Sequence, residues 1–373
     1  MSFQIISDAN PDLLKLREIK MSIPTTCIGA YPKPDWVPVR DWFKIDEGLT
    51  SAGDEVTQQY TKIMQEAGPE TEKLLDKATI QAVNDQLDCG IDIPTDGEQR
   101  RENYIHYQCR HLDGFDFTNL TRRVLRDGAY ETSLPTIRGK IEPQGEHFLP
   151  RDWQVAQDTT PKPIKITLPG PITIMDTTAN AFYKDDRSLA FDLARALNYE
   201  IKALAAAGCR NIQIDEPLFA RKPEAALEYG VEALEMCFDG INKDVTRTMH
   251  MCCGYPNHLD DEKYHKADPQ SYFDIAETLD QSSIQQVSIE DAHRYNDLSL
   301  LEKFTQTTII FGSIAIAQTR VETVDEVGQR LAKALEHIDR DRLIAAPDCG
   351  LGFLDRDLAM KKLRVMTEAA SRV

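Results

Sequence analysis

Eight short runs of β-branched and apolar residues punctuate the chain: TTCIGAY (25–31), IDIPTDGE (91–98), KITLPGP (165–171), NIQIDEP (211–217), TMHMCC (248–253), QQVSIE (285–290), TIIFGSIA (308–315) and RLIAAPDCG (342–350). Most end in Gly, Pro or an acidic residue, the punctuation expected where a strand gives way to a loop. Between them lie longer segments with apolar residues at helical spacing. SLAFDLARALNYEIKALAAAG (188–208) is rich in Ala and Leu and stops at Gly208; DPQSYFDIAETLDQ (268–281) and VDEVGQRLAKALEHI (324–338) repeat the pattern. Eight strand–helix alternations predict an α/β fold, a TIM (β/α)8 barrel, over a single catalytic domain spanning 1–373. A doubly wound sheet would want a Gly-rich phosphate loop after its first strand, and CIGAYPKPDW is not one.

Two stretches exceed a bare barrel. Residues 1–24 form an N-terminal extension, and 99–164 are an insertion too long for one helix. Within it LPTIRGKIEP (134–143) reads as a β-hairpin with Gly139 at its turn. Insertions after barrel strands are where such folds build specificity.

With 43 Lys+Arg against 61 Asp+Glu the formal net charge is −18, and no basic run argues for a nucleic-acid or anionic-membrane partner. No stretch approaches the roughly 20 apolar residues of a membrane span. Asp8, Asp12 and Glu18 interrupt what would be a signal peptide's apolar core, so a cytoplasmic location is expected. The eight cysteines are irregularly spaced, which in that compartment favours core thiols or metal ligands over disulfides.

Polar, metal-capable residues fall at the ends of the predicted strands: Glu98, Asp215 with Glu216, His250 with Cys252, Glu290, and Cys349. In a parallel barrel these ends converge on one rim. Alternation along a strand puts His250 and Cys252 on one face and turns Cys253 away. His250, Cys252, Glu290 and Cys349 would together supply one imidazole, two thiolates and a carboxylate, a donor set suited to tetrahedral Zn2+. Each has a plainer reading too: a core thiol for Cys349, a helix-start carboxylate for Glu290.

TTCIGAYPKP, PTDGEQRRENY, LPGPITI, QIDEP, HMC, SIE and PDCGL, in this order, resemble the C-terminal catalytic barrel of cobalamin-independent methionine synthase, from about residue 23 to 355. Related proteins, among them the epoxyalkane:coenzyme M transferases, move other alkyl groups to other thiols. The resemblance implies a zinc cofactor on His250, Cys252, Glu290 and Cys349, with the acceptor thiol binding the metal. A free thiol, with a pKa of about 8.5, is mostly protonated at neutral pH, and coordination removes that proton while leaving sulfur nucleophilic. It further implies that Glu98 and Asp215 bind the homocysteine amine, Glu98, Asp215 and Glu290 serving as the catalytic carboxylates. The backbone of Ile28, Gly29 and Ala30 would hold the amino-acid carboxylate. The partners implied are homocysteine and a methyl donor such as a methylated folate.

The chain departs from that pattern in several places. Ala30 stands where the family usually has Ser, and Ala315 and Ala317 replace an Asp-x-His whose imidazole assists proton transfer. The tryptophan that usually follows GPITI is missing from MDTTANAF, and only about 22 residues precede the first motif, where full-length relatives carry another barrel. His106, His111 and His293 are candidate replacements for the imidazole, Trp36 and Trp42 for an aromatic platform, and Lys33, Arg100 and Arg101 for anion binding at the rim. The leading expectation is methyl transfer to homocysteine to give methionine. The alternatives are alkyl transfer to another thiol, a decarboxylase of the uroporphyrinogen type, and a non-catalytic zinc or homocysteine binder. Oligomeric state stays open, a homo-oligomer included.

Overall fold

The computed structural model describes residues 22–39, 52–125, 130–252, 254, 258–261, 264 and 266–373. Of the predicted features, most of the N-terminal extension, Trp42 and Cys253 lie outside them.

Six parallel strands form one sheet in the order β3 (Lys165–Pro169), β5 (Asn211–Asp215), β6 (Thr246–Met251), β7 (Gln286–Ile289), β8 (Thr308–Ile314) and β9 (Leu343–Pro347). Two further extended segments join its edges. Thr26 N–H donates to Ala345 O (3.0 Å) and Ala345 N–H to Pro24 O (2.8 Å); Ile93 N–H donates to Thr25 O (3.0 Å) and Lys165 N–H to Pro94 O (2.9 Å). These parallel bridges carry the pairing from β9 through 24–26 and 91–95 back to β3, so the ring of eight predicted strands closes. Each strand is too short to stand alone; closure removes the edges that would otherwise expose unpaired backbone.

The helices pack outside, as the apolar stripes require. The longest, Asp186–Ala207, starts at Asp185, whose side chain accepts from Ser188 N–H, and ends at Gly208 in the left-handed region. Its buried stripe of Leu189, Leu193, Leu197, Ile201 and Leu204 faces the sheet. The unit after β7 is capped by a 3-10 turn, Leu298–Lys303, in place of a full α-helix.

The insertion does contain an antiparallel pair, β1 (Leu112–Leu125) with β2 (Tyr130–Pro143), but Gly139 is not its turn. The strands are joined through residues 126–129, and Gly139 sits inside β2 opposite Gly114. The misplacement has a simple origin: here the glycine marks a close approach of two backbones, which local sequence cannot distinguish from a turn. A two-residue strand, β4 (Ala179–Asn180), pairs with Thr136 and Ile137 and anchors this sheet beside the end of β3.

The barrel interior divides in two. Ile28, Ile310, Ile344 and Ala346 form an apolar cluster on one side. The other side is polar: Lys165, Thr167, Gln213, Thr248 and Ser288 are all buried there. Polar groups in a core cost free energy unless paired, so their concentration below one half of the rim marks where ligand chemistry is expected.

Candidate active site

His250 and Cys252 end β6 and Cys349 follows β9, and their ligand atoms all lie within 4.8 Å of one another. The imidazole is fixed from behind: Nδ1 is hydrogen-bonded to the Ser288 hydroxyl (2.9 Å). With Nδ1–H donating to that oxygen, Nε2 keeps its lone pair, and Nε2 is buried without a hydrogen-bond partner. The Cys252 thiol is pushed well down by a hydrogen bond from Cys349 and by the neighbouring imidazole, while Cys349 is held well up by its bond to Cys252 and by burial. An orphaned imidazole nitrogen beside two cysteine sulfurs is the donor set of a soft divalent ion, and the residues present fit zinc.

Glu290 is buried beside this cluster, but it is not one of the three residues gathered within 4.8 Å. Burial, and then the Cys252 charge, push its carboxyl well up. The loop that follows it is held by Asp348, the residue before Cys349. The Asp348 carboxylate accepts from the N–H groups of Asp291 and Ala292 (both 2.9 Å), and from the N–H and Nδ1–H of His293 (both 2.7 Å). One carboxylate therefore ties the Glu290 loop to the Cys349 strand.

Beside this cluster, Asp215 is the register partner of His250 on the neighbouring strand, and it lies near enough to Glu98 for its charge to act on that carboxyl. Glu98 adopts a left-handed backbone (φ 56°) directly after Gly97 (φ 67°), and this sharp turn folds its side chain back over the barrel. Its Oε1 accepts from the Thr167 hydroxyl (2.6 Å). Gly29 passes so close that a Cβ there would lie 2.6 Å from Oε1, which explains why this position takes no side chain. Burial, opposed by Arg101 and reinforced by Asp215, raises the Glu98 carboxyl to about 7; burial, opposed chiefly by His250, raises Asp215 to about 6. Gln213 reaches across the barrel, its Nε2 donating both to Ile28 O (2.8 Å) and to Asp215 Oδ1 (2.7 Å). Ile28, Gly29 and Ala30 are buried together at this side of the rim.

Other predicted residues lie elsewhere. Glu216 is fully buried beneath the rim, its carboxylate accepting from Ile172 N–H, Thr173 N–H and the Thr173 hydroxyl (2.8–3.0 Å). It caps the helix Pro171–Asp176 and faces no ligand. Arg100 and Arg101 are not free anion binders: Arg100 pairs with Glu72 (2.9 Å) and Asp76 (2.5 Å), and Arg101 with Asp96 (3.3 Å) and Glu98 (3.5 Å). Lys33 donates to the Arg101 carbonyl. His106 is driven down to about 4 by burial, and His111 stacks on Phe148 with ring centroids 3.7 Å apart. His293 is the candidate that touches Ala317, accepting its N–H at Nε2 (3.2 Å), so both ring nitrogens are engaged. Trp36 is 39% exposed with Lys77 over its ring (4.7 Å).

Sequence reasoning missed Thr167, Gln213, Ser288 and Asp348, which orient the predicted groups, and Tyr104. Burial, and then the charges of Asp215, Cys252, Cys349 and Glu98, push the Tyr104 phenol well up. Its position six residues after Glu98, opening the helix Tyr104–Cys109, was the only available signal.

Residues 23–372 match the model of the cobalamin-independent synthase catalytic domain. The methionine synthase of Sulfolobus acidocaldarius is 31% identical over 342 residues, covering 91% of this chain and 89% of that protein. The methionine synthase of Thermococcus kodakarensis is 31% identical over 352 residues, covering 94% and 93%. A B12-independent methionine synthase from a Shewanella species, solved in complex with selenomethionine, superposes with a TM-score of 0.80 at 29% identity over 94% of this chain and 97% of that one. Closed barrel, strand-end site and sequence match agree, and the chain belongs to the cobalamin-independent methionine synthase catalytic-domain family.

Proposed function

We propose that the protein transfers a methyl group to the thiol of homocysteine to give methionine, without cobalamin and with zinc as cofactor. The observation that supports this reading is that the His250–Cys252–Cys349 cluster has the Glu98–Asp215 pair beside it, Asp215 in register with His250 on the neighbouring strand. His250, Cys252 and Cys349 would hold the metal, with Glu290 as the fourth ligand. Bound zinc supplies a Lewis acid that lowers the acceptor thiol's pKa while leaving its sulfur nucleophilic.

The chain's own residues do the rest. Ser288 fixes the His250 ring, and Asp348 fixes the loop of Glu290 against the strand of Cys349. Two thiolates and a carboxylate around a divalent ion leave one net negative charge, which keeps a sulfur there electron-rich. Glu98 and Asp215 would receive the acceptor's ammonium, and the backbone of Ile28, Gly29 and Ala30 would receive its carboxylate. Holding amine and sulfur at two fixed points directs the sulfur toward the methyl donor, for which a methylated folate is the proposed source. The pairing of Arg100 and Arg101 with acids argues against a decarboxylase recognising a polycarboxylate. A cytoplasmic location fits these metabolic relatives.

Zinc-edge X-ray absorption on the purified protein tests the reading. The expected resting shell has two sulfurs and two N/O ligands and gains a third sulfur with homocysteine. Gain of sulfur with coenzyme M alone would instead favour an alkyltransferase to a sulfonate thiol. Absence of stoichiometric zinc would overturn the mechanism.

A further inference from the structure

Neither Glu98 nor Asp215 is loose. Glu98 Oε1 accepts from the Thr167 hydroxyl (2.6 Å) and pairs with Arg101 Nη1 (3.5 Å). Arg101 is itself locked: Nη1 donates to the Thr167 carbonyl (2.9 Å) and hydroxyl oxygen (3.0 Å), and Nη2 to Asp96 (3.3 Å). Asp215 Oδ1 accepts from Gln213 Nε2, whose second proton is held by Ile28 O. The hydrogen bonds the two carboxylates accept from the described residues thus go to one oxygen of each, leaving Oε2 and Oδ2 without a protein partner. Thr167 and Gln213 are register partners on adjacent strands, so the two locks form one unit.

Asp96, Glu98 and Asp215 are three buried carboxylates gathered near the buried side chains of Arg101 and Lys165. Lys165 makes no hydrogen bond among the described residues and serves as a diffuse counter-charge beneath them. Burial raises both the Glu98 and the Asp215 carboxyls, so an ionised carboxylate in this low-dielectric site is costly until a cation pairs with it.

We propose that Arg101, Thr167 and Gln213 are positioning residues that convert Glu98 and Asp215 into a two-oxygen socket for one primary ammonium. The socket sets the preference of this mouth for amino-acid thiols over thiols lacking an amine. The inference rests on the acceptor reading above and adds to it the residues that hold the two carboxylates in place. Thr167 holds Oε1 in place, Arg101 keeps both Thr167 and Glu98 from rotating, and Gln213 does the same for Asp215. An ammonium entering the socket pairs with the ionised carboxylates and donates to the two oxygens left over. A thiol without an amine would leave both carboxylates uncompensated.

Calorimetric titration of the zinc-loaded protein with methionine and with 4-(methylsulfanyl)butanoate, the same molecule without its amine, tests this without needing a methyl donor. Wild type is expected to favour methionine. Thr167→Val, Gln213→Met and Arg101→Lys should each weaken methionine by about tenfold to a hundredfold, the range of one charge-assisted hydrogen bond. Binding of the amine-free analogue should stay within about twofold, since the lost bond acts only on the ammonium. Thr167→Ser, which keeps the hydroxyl, should restore the wild-type ratio, and zinc content should be unchanged in all four variants. Equal losses for both ligands, or an unchanged ratio in Thr167→Val and Gln213→Met, would overturn the positioning role. A wild type with no preference between the ligands would instead overturn the acceptor reading, so the two failures are distinguishable.

Discussion

On one side of the mouth, His250, Cys252 and Cys349 stand close together with an imidazole nitrogen and two sulfurs turned toward a common point. On the other, Glu98 and Asp215 form the carboxylate side, Asp215 in register with His250 on the neighbouring strand, each carboxylate fixed at one oxygen by a neutral donor from the barrel wall. The sulfur side needs few supports because the ligand atoms converge directly from strand ends, and Ser288 and Asp348 suffice to hold them. The carboxylate side carries buried charge at pKa values of about 7 and 6, and needs Arg101, Thr167 and Gln213 to stay oriented. The contrast is between a site whose charge an ion would neutralise and one whose charge awaits the substrate.

If the two sides are separate devices, damage to one should leave the other's ligand untouched. The largest effect is expected from Cys252→Ser or Cys349→Ser. Competition with a chromophoric chelator should show zinc affinity falling at least about a hundredfold. Methionine binding through its amine, measured by calorimetry, should survive in these variants; its loss would make the mouth one cooperative unit.

Next, Glu98→Gln and Asp215→Asn should each weaken homocysteine by about tenfold to a hundredfold, through loss of a charge-assisted bond, with zinc content intact. Retained homocysteine affinity in both variants would dismiss the amine assignment.

A pH series sharpens the same point. The Glu98 carboxyl is raised to about 7 by burial, so below that pH a bound ammonium must displace a proton. Methionine, which has no thiol to titrate, should therefore bind about tenfold more weakly at pH 6 than at pH 8, the affinity following the ionised fraction. Glu98→Gln should flatten that slope; a slope kept in the variant would assign it to another group.

The smallest change is expected from Ser288→Ala, which releases His250 Nδ1 without touching a ligand atom. Zinc affinity should drop about tenfold, the lower end for loss of an orienting partner. An unchanged affinity would mean that backbone and packing alone set the ring.

Much of this was legible before any coordinates. Short β-branched and apolar runs ending in Gly, Pro or acids located the eight barrel strands, because each buries its side chains on both faces and must break where the loop begins. His250 and Cys252 were readable as a pair because alternation puts residues two apart on one face. The same local rule failed at Gly139, whose partner Gly114 lies on another strand, and at Glu216, which shares its strand end with Asp215 yet turns beneath the rim. Arg101 misled for a related reason. A rim arginine and a buried arginine look alike until Asp96, Glu98 and the Thr167 carbonyl are seen around it.

The sequence by itself determined the succession of strands and helices, the acidic surface and the residue types able to hold a soft metal ion or an amine. These depend on spacing along one segment and on side-chain chemistry. Only the tertiary structure decided which of those residues meet. Closure of the barrel brought Cys349 from the end of the chain to His250, set Gln213 against Ile28, and put Thr167 under Glu98. Such contacts join strands dozens to hundreds of residues apart, and no local pattern encodes a distance that exists only once the ring has closed.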